Sequence, residues 1–95
     1  MTFQPKQPCS RQGASQNVSV SAVSAASTAF SSETWAVLLV ATAACNVRID
    51  SGTPTATTSD TLLPANVPLF FACLPNQKVA AVTASTATLN VTELT

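Results

Sequence analysis

Four carboxylates, Glu33, Asp50, Asp60 and Glu93, and three thiols, Cys9, Cys45 and Cys73, are the groups this 95-residue chain offers for chemistry, and it contains no histidine. Without an imidazole, neither a Ser-His-Asp nor a Cys-His arrangement can be built, and the usual proton shuttle near neutral pH is missing. Glycoside hydrolysis needs two carboxyl groups facing one bond. Asp50 and Asp60 flank one loop, and acids in that position ordinarily serve as solvated turn residues. The cysteines lack CxxC spacing and have no histidine to complete a zinc site, so no metal centre is expected. With only Gly13 and Gly52, neither phosphate-cradling glycine motif can form. The expectation is a chain with no catalytic residues, no metal and no cofactor, whose work is binding or assembly.

Charge points the same way. The basic residues Lys6, Arg11, Arg48 and Lys78 are dispersed, net charge is zero, and 8% of residues are charged, against about 25% in an ordinary globular protein. No basic stripe exists to neutralise phosphates, which excludes nucleic acid as the expected partner. Hydrophobic residues make up 46% of the chain, the opposite of a disordered composition. The apolar run from Trp35 to Cys45 is interrupted by Thr42 and is far shorter than the roughly 20 residues of a membrane helix. Pro5 and Pro8 stand where a signal peptide would carry its apolar core, so no secretion signal is expected. Asn17-Val18-Ser19 and Asn90-Val91-Thr92 match the glycosylation pattern and are then chance occurrences.

The elements that position these residues read as strands. Residues 1–15 form an extended arm, in which Pro5 and Pro8 remove backbone donors and Phe3 is the one large apolar side chain. Such an arm is either a frayed terminus or a hook for a neighbouring subunit. Cys9 lies in it, exposed or covered by a contact. Val18, Val20 and Ala22 alternate with Ser19 and Ser21, which predicts a first strand over 16–23. Residues 24–32 read as a loop. The continuous run Trp35–Val40 suits a strand covered on both faces, and Cys45, Val47 and Ile49 alternate with Asn46, Arg48 and Asp50, predicting a hairpin across Ala41–Ala44. Arg48 and Asp50 lie on one strand face and can pair.

SGTPTATTSD, residues 51–60, is a hydroxyl-rich loop around Gly52 and Pro54. Leu62 and Leu63 return to the core, Pro64-Ala65-Asn66 and Leu74-Pro75-Asn76-Gln77 are turns, and Val67–Cys73 is a strand in which Pro68 implies either a sheet edge or a strand start. Val79–Ala84 and Ala87–Thr92 read as a closing hairpin. Trp35, Phe70 and Phe71, set in Val and Leu runs, are expected in the core, as are Cys45 and Cys73. Six or so short strands without a helix predict an all-β fold, an antiparallel β-sandwich or small jelly-roll-like barrel at 16–95 behind the arm at 1–15. Many of its apolar residues are Ala and Val, which bury little area each, so a partner surface would add appreciably to its stability.

From Val37 onward the chain resembles a family of short structural proteins of tailed bacteriophages. The matching strings are Ala56-Thr57-Thr58-Ser59-Asp60, Leu63-Pro64-Ala65-Asn66, Phe70-Phe71, Lys78-Val79-Ala80-Ala81-Val82 and Val91-Thr92-Glu93-Leu94, with Met1-Thr2-Phe3-Gln4-Pro5 in support. Asn76, Ala87 and Asn90 depart from it, standing where two glycines and an aromatic are expected. The resemblance implies a β-sandwich virion component on the capsid exterior, made in the host cytoplasm: a decoration or cement protein that binds the major capsid protein and stabilises subunit seams. Such proteins are homo-oligomers, often trimers, and attach through arms and loops. The candidate partner-binding residues are then Phe3, Pro5 and Pro8 in the arm and Thr57, Thr58 and Asp60 in the loop. The alternatives are an adhesion or carbohydrate-binding module on a virion fibre, and a tail or neck adaptor.

Overall fold

The computed structural model describes residues 12–94 and is all-β. Eight strands run in chain order: β1 (Gln12–Val20), β2 (Ala25–Ala26), β3 (Ala36–Ala41), β4 (Cys45–Asp50), β5 (Thr61–Leu63), β6 (Leu69–Ala72), β7 (Lys78–Val82) and β8 (Ala87–Leu94). They form two four-stranded sheets, β1-β8-β3-β6 and β2-β7-β4-β5, in which every strand pairing is antiparallel. This is the β-sandwich that the alternating patterns predict. Among the described residues no helix is long and apolar enough to cross a membrane.

Period-2 patterning decides which side chains enter the space between the sheets. Val18 and Val20 of β1, Val37, Leu39 and Ala41 of β3, and Leu89 and Val91 of β8 face inward from the first sheet. Cys45 and Val47 of β4, Leu63 of β5, and Val79 and Ala81 of β7 meet them from the second. Phe30 is the largest fully buried side chain and fills the core from outside any strand. Burying a Val or Leu side chain contributes about 1.5 to 3 kcal/mol.

Connectivity differs from the two predicted hairpins. β3 and β4 lie in different sheets, as do β7 and β8, so residues 42–44 and 83–86 are arches that cross the sandwich. Two-residue hairpins need Gly, Asn or Asp at positive φ, and neither connection contains one. The arches are fixed by Thr42 N–H donating to Thr88 O at 3.1 Å, Thr88 N–H to Thr42 Oγ1 at 2.9 Å, and Thr83 Oγ1 to Ala44 O at 2.8 Å. Among the described residues, only β4 and β5 are consecutive strands paired within one sheet.

Other boundaries shift. β1 begins at Gln12, so residues 12–15 belong to the first strand and not to the arm, with a bulge between Gln12 and Ser15. Residues 1–11, with Phe3, Pro5, Pro8 and Cys9, lie outside the described residues. Ala25–Ala26, read as loop, pairs with Ala81 and Ala80 of β7. Both anticipated turns are present, and asparagine supplies their left-handed residue: φ is 60° at Asn66 and 66° at Asn76. Pro75 then Asn76, closed by Gln77 N–H to Leu74 O at 3.3 Å, has the signature of a type II turn. Glycine is unnecessary there, because Asn tolerates positive φ better than other side-chain-bearing residues.

Candidate binding surfaces

The loop at 51–60, which carries the candidate partner-binding residues Thr57, Thr58 and Asp60, is anchored on the second sheet through part of its length. Pro54 and Ala56 are buried, and Ala56 joins Ala80 and Val82 in a small apolar cluster on the outer face of the second sheet. Ala56 N–H donates to Ser24 Oγ at 2.9 Å, tying the loop to the chain before β2. The next four residues are held by Asp60, whose Oδ2 accepts from Thr57 N–H at 2.8 Å and from Thr57 Oγ1 at 3.3 Å. Asp60 N–H returns a bond to Thr57 O at 3.0 Å. Arg48 donates to Asp60 Oδ1 at 3.1 Å, and Asn46 Nδ2 to Asp60 O at 3.0 Å.

The Thr57 backbone bond, with Arg48 adding to it against the cost of partial burial, holds the Asp60 carboxyl below its ordinary range. The expected Arg48–Asp50 pair also forms, at 3.6 Å between two half-exposed side chains. It contributes at most about 1 kcal/mol. Of the loop residues singled out as candidates, Thr57 and Asp60 therefore bind each other, while the exposed Thr58 lines an open groove.

That groove encloses about 540 Å³ at the arched end of the sandwich, between Ala43–Ala44, Val82–Ser85 and Ala22. Small side chains create the space. Two of its polar members are already engaged, Asn46 with Asp60 and Thr83 with Ala44. Small-molecule sites need a few convergent polar groups aimed inward, and here only the exposed hydroxyls of Thr58 and Ser85 are without an internal partner.

At the other end, Glu93 faces inward from β8 and is 6% exposed. Its Oε1 accepts from Ser31 N–H at 3.0 Å and from Thr34 Oγ1 at 2.6 Å, and Ser31 Oγ lies 2.7 Å from Thr34 Oγ1. Thr34 is fully buried, so the trio clamps the 31–34 turn onto β8. Cys73 Sγ points at Thr34 O, 3.7 Å away. Burial raises the Cys73 pKa, with the nearby Glu93 charge adding to it, and burial alone raises that of Cys45. Both thiols are buried, as expected of core cysteines, and are held protonated at neutral pH.

The outer face of the first sheet is arranged differently. Opposed residues there follow from the register: Leu38 lies across from Phe70 on one side and Thr92 on the other, and Ala36 lies between Ala72 and Leu94. The β3–β6 half of this face is apolar, built from Ala36, Leu38, Val40, Phe70 and Ala72. Its β8–β1 half is a polar ladder, in which Asn90 Nδ2 donates to Asn17 Oδ1 at 3.0 Å and Thr92 Oγ1 lies 3.1 Å from Ser15 Oγ. No Asp, Glu, Lys or Arg stands on this face among the described residues.

Phe70 is 53% exposed, and Trp35, just before β3, is 61% exposed. Both were expected in the core. The Trp35–Val40 run was expected to be covered on both faces, but among the described residues nothing covers its outer one. Leu62, also expected inside, is 60% exposed, while Leu63 beside it is buried. Phe71 is half-buried and packs on the core.

Among the described residues, fold and surface together define a β-sandwich with one outer face partly covered by its own loop and the other left open. Compared with known protein families, curated proteins and solved structures, the chain matches none.

Proposed function

We propose that this chain is a non-enzymatic structural protein of a virion, a decoration or cement protein that binds the capsid exterior and stabilises the seams between subunits. The observation that carries the binding part is the open outer face of the first sheet. Exposed Phe70, half-exposed Leu38 and the neighbouring alanines form an apolar strip without a charge, beside a ladder of hydroxyl and amide groups. Apolar, aromatic centres with polar rims and few charges are the anatomy of protein interfaces. The assignment to a capsid is carried by the phage-like strings from Val37 to Leu94. A protein that binds the assembled shell but not its separate subunits stabilises the particle by mass action alone.

The partner in this reading is the major capsid protein. A particle map at side-chain resolution tests it: density for the sandwich on the outer shell, with β3 and β6 toward the capsid, is expected. Density confined to the neck or tail would instead make the chain an adaptor.

The exposure of Trp35 and Phe70 also favours a second reading, an adhesion module that stacks sugars on these rings. Titration of glycans against Trp35 fluorescence distinguishes it, because saturable quenching by a carbohydrate is expected only of such a module.

A further inference from the structure

Sheet edges present unpaired N–H and C=O groups that pair readily with another strand, and proteins blunt them with short strands, prolines, charges or bulges. Three of the four edges of this sandwich are blunted. β2 has two residues, β5 has three and is followed at once by Pro64, and β6 has four and is preceded at once by Pro68. β1 is the exception. It has nine residues, its bulge is confined to the stretch between Gln12 and Ser15, and Ser15–Val20 pairs regularly with β8. It contains no proline and no charge. Among the described residues its other edge has no strand partner, and no backbone hydrogen bond outside the sheet ladders involves it.

We propose that β1 is a self-association edge, which pairs antiparallel with β1 of a second copy and joins the two first sheets into one eight-stranded sheet. A second copy fits for two reasons. An antiparallel strand pair has a two-fold axis, so one edge strand is its own complement, and an uncharged strand does not repel its copy. Alternation fixes the register further. Opposed residues in an antiparallel pair point to the same side of the sheet, so Val18 and Val20 stay on the inner side in both copies only if the axis passes through a residue. Within Ser15–Val20 the central choices are Asn17 and Val18. With the axis at Asn17, Asn17 opposes Asn17 of the second copy and Ser19 opposes Ser15. With the axis at Val18, Asn17 opposes Ser19.

Asn17 and Ser19 are exposed on the outer side; Ser19 makes no side-chain hydrogen bond and Asn17 makes one, an exposed bond from Asn90 Nδ2, so charges there cost the single chain little. A six-residue pairing is smaller than a standard interface of about 1,600 Å², so the association is concentration-dependent.

The test uses the full chain and two double variants, N17K/S19K and N17E/S19E, with mass measured by sedimentation across a concentration series up to the solubility limit. The parent is expected to rise from the 9.7 kDa of one chain toward twice that value. Each double variant places like charges opposite or diagonal to one another in either register and is expected to stay at 9.7 kDa with an unchanged circular dichroism spectrum. An equimolar mixture of the two is expected to regain the doubled mass. That rescue separates edge pairing from misfolding, which mixing cannot repair. A parent that stays monomeric, or double variants that associate as the parent does, would overturn the proposal. Self-pairing does not require a capsid, so its failure leaves the decoration reading to the particle map.

Discussion

Glu93 is a buried carboxylate that organises one end of the sandwich, and Glu93→Ala tests that role with a magnitude that follows from its contacts. Its Oε1 accepts two hydrogen bonds, from Ser31 N–H and from Thr34 Oγ1. Bonds to a charged acceptor are worth about 1.5 to 3 kcal/mol each, so the gross loss is ~3 to 6 kcal/mol. Part is recovered, because Ser31 is exposed and water can take its N–H, while Thr34 Oγ1 can turn its hydrogen toward Ser31 Oγ. A net loss of about 2 to 4 kcal/mol remains, a large fraction of the ~5 to 10 kcal/mol expected of so small a domain.

For a domain of this size each kcal/mol lowers Tm by roughly 4 to 8 °C, so a fall of about 8 to 32 °C is expected. Glu93→Gln keeps an acceptor but removes the charge, which roughly halves the strength of each bond, and its expected loss is about 1 to 2 kcal/mol. Urea unfolding followed by circular dichroism and by the single tryptophan, Trp35, adjacent to Thr34 in the chain, measures both. A Glu93→Ala variant within ~0.5 kcal/mol of the parent, the range of ordinary surface substitutions, would refute the clamp.

Three further outcomes follow. The Asp60 carboxyl is held below its unfolded value, so its contribution to stability is present above about pH 4 and is lost as pH falls through the depressed folded pKa; Asp60→Asn should flatten the acid limb of the urea midpoint plotted against pH. Asn76 has φ 66°, so Asn76→Gly should be neutral within a few tenths of a kcal/mol, whereas Asn76→Val, a β-branched residue forced into the left-handed region, should lose at least ~1 kcal/mol in chemical denaturation. Cys45 and Cys73 are buried with raised pKa values; of the three thiols, an aromatic disulfide reagent should titrate no more than one in the native protein and all three in denaturant.

Strand positions were legible where side chains alternate, as at Val18–Val20, Cys45–Asp50 and Ala87–Thr92, because a sheet with one buried face imposes period two. Which strands pair was less legible. Alternation is identical in a hairpin and in an arch that crosses the sandwich, and only the lack of Gly, Asn or Asp in 42–44 and 83–86 distinguished them. Trp35 and Phe70 misled for a related reason. An apolar run marks a strand buried on both faces when a second layer covers it, and here the covering loop lies over Ala80 and Val82 of the other sheet. The Thr57–Asp60 turn was visible in its residue types, since a threonine and an aspartate three apart readily bond one another locally. Nothing local marked Glu93 as a clamp, because its partners Ser31 and Thr34 are about sixty residues away in the chain.

The central claim is that the open outer face of the first sheet is the surface that meets the capsid. Copy number on purified capsids tests it most directly, comparing the parent with Leu38→Ser/Phe70→Ser and with Thr57→Ala/Thr58→Ala. A sharp loss of occupancy for the β3–β6 pair, with near-parental occupancy for the loop pair, is the predicted result. Parental occupancy for the β3–β6 pair, or loss confined to the loop pair, would contradict it and return the binding role to residues 51–60.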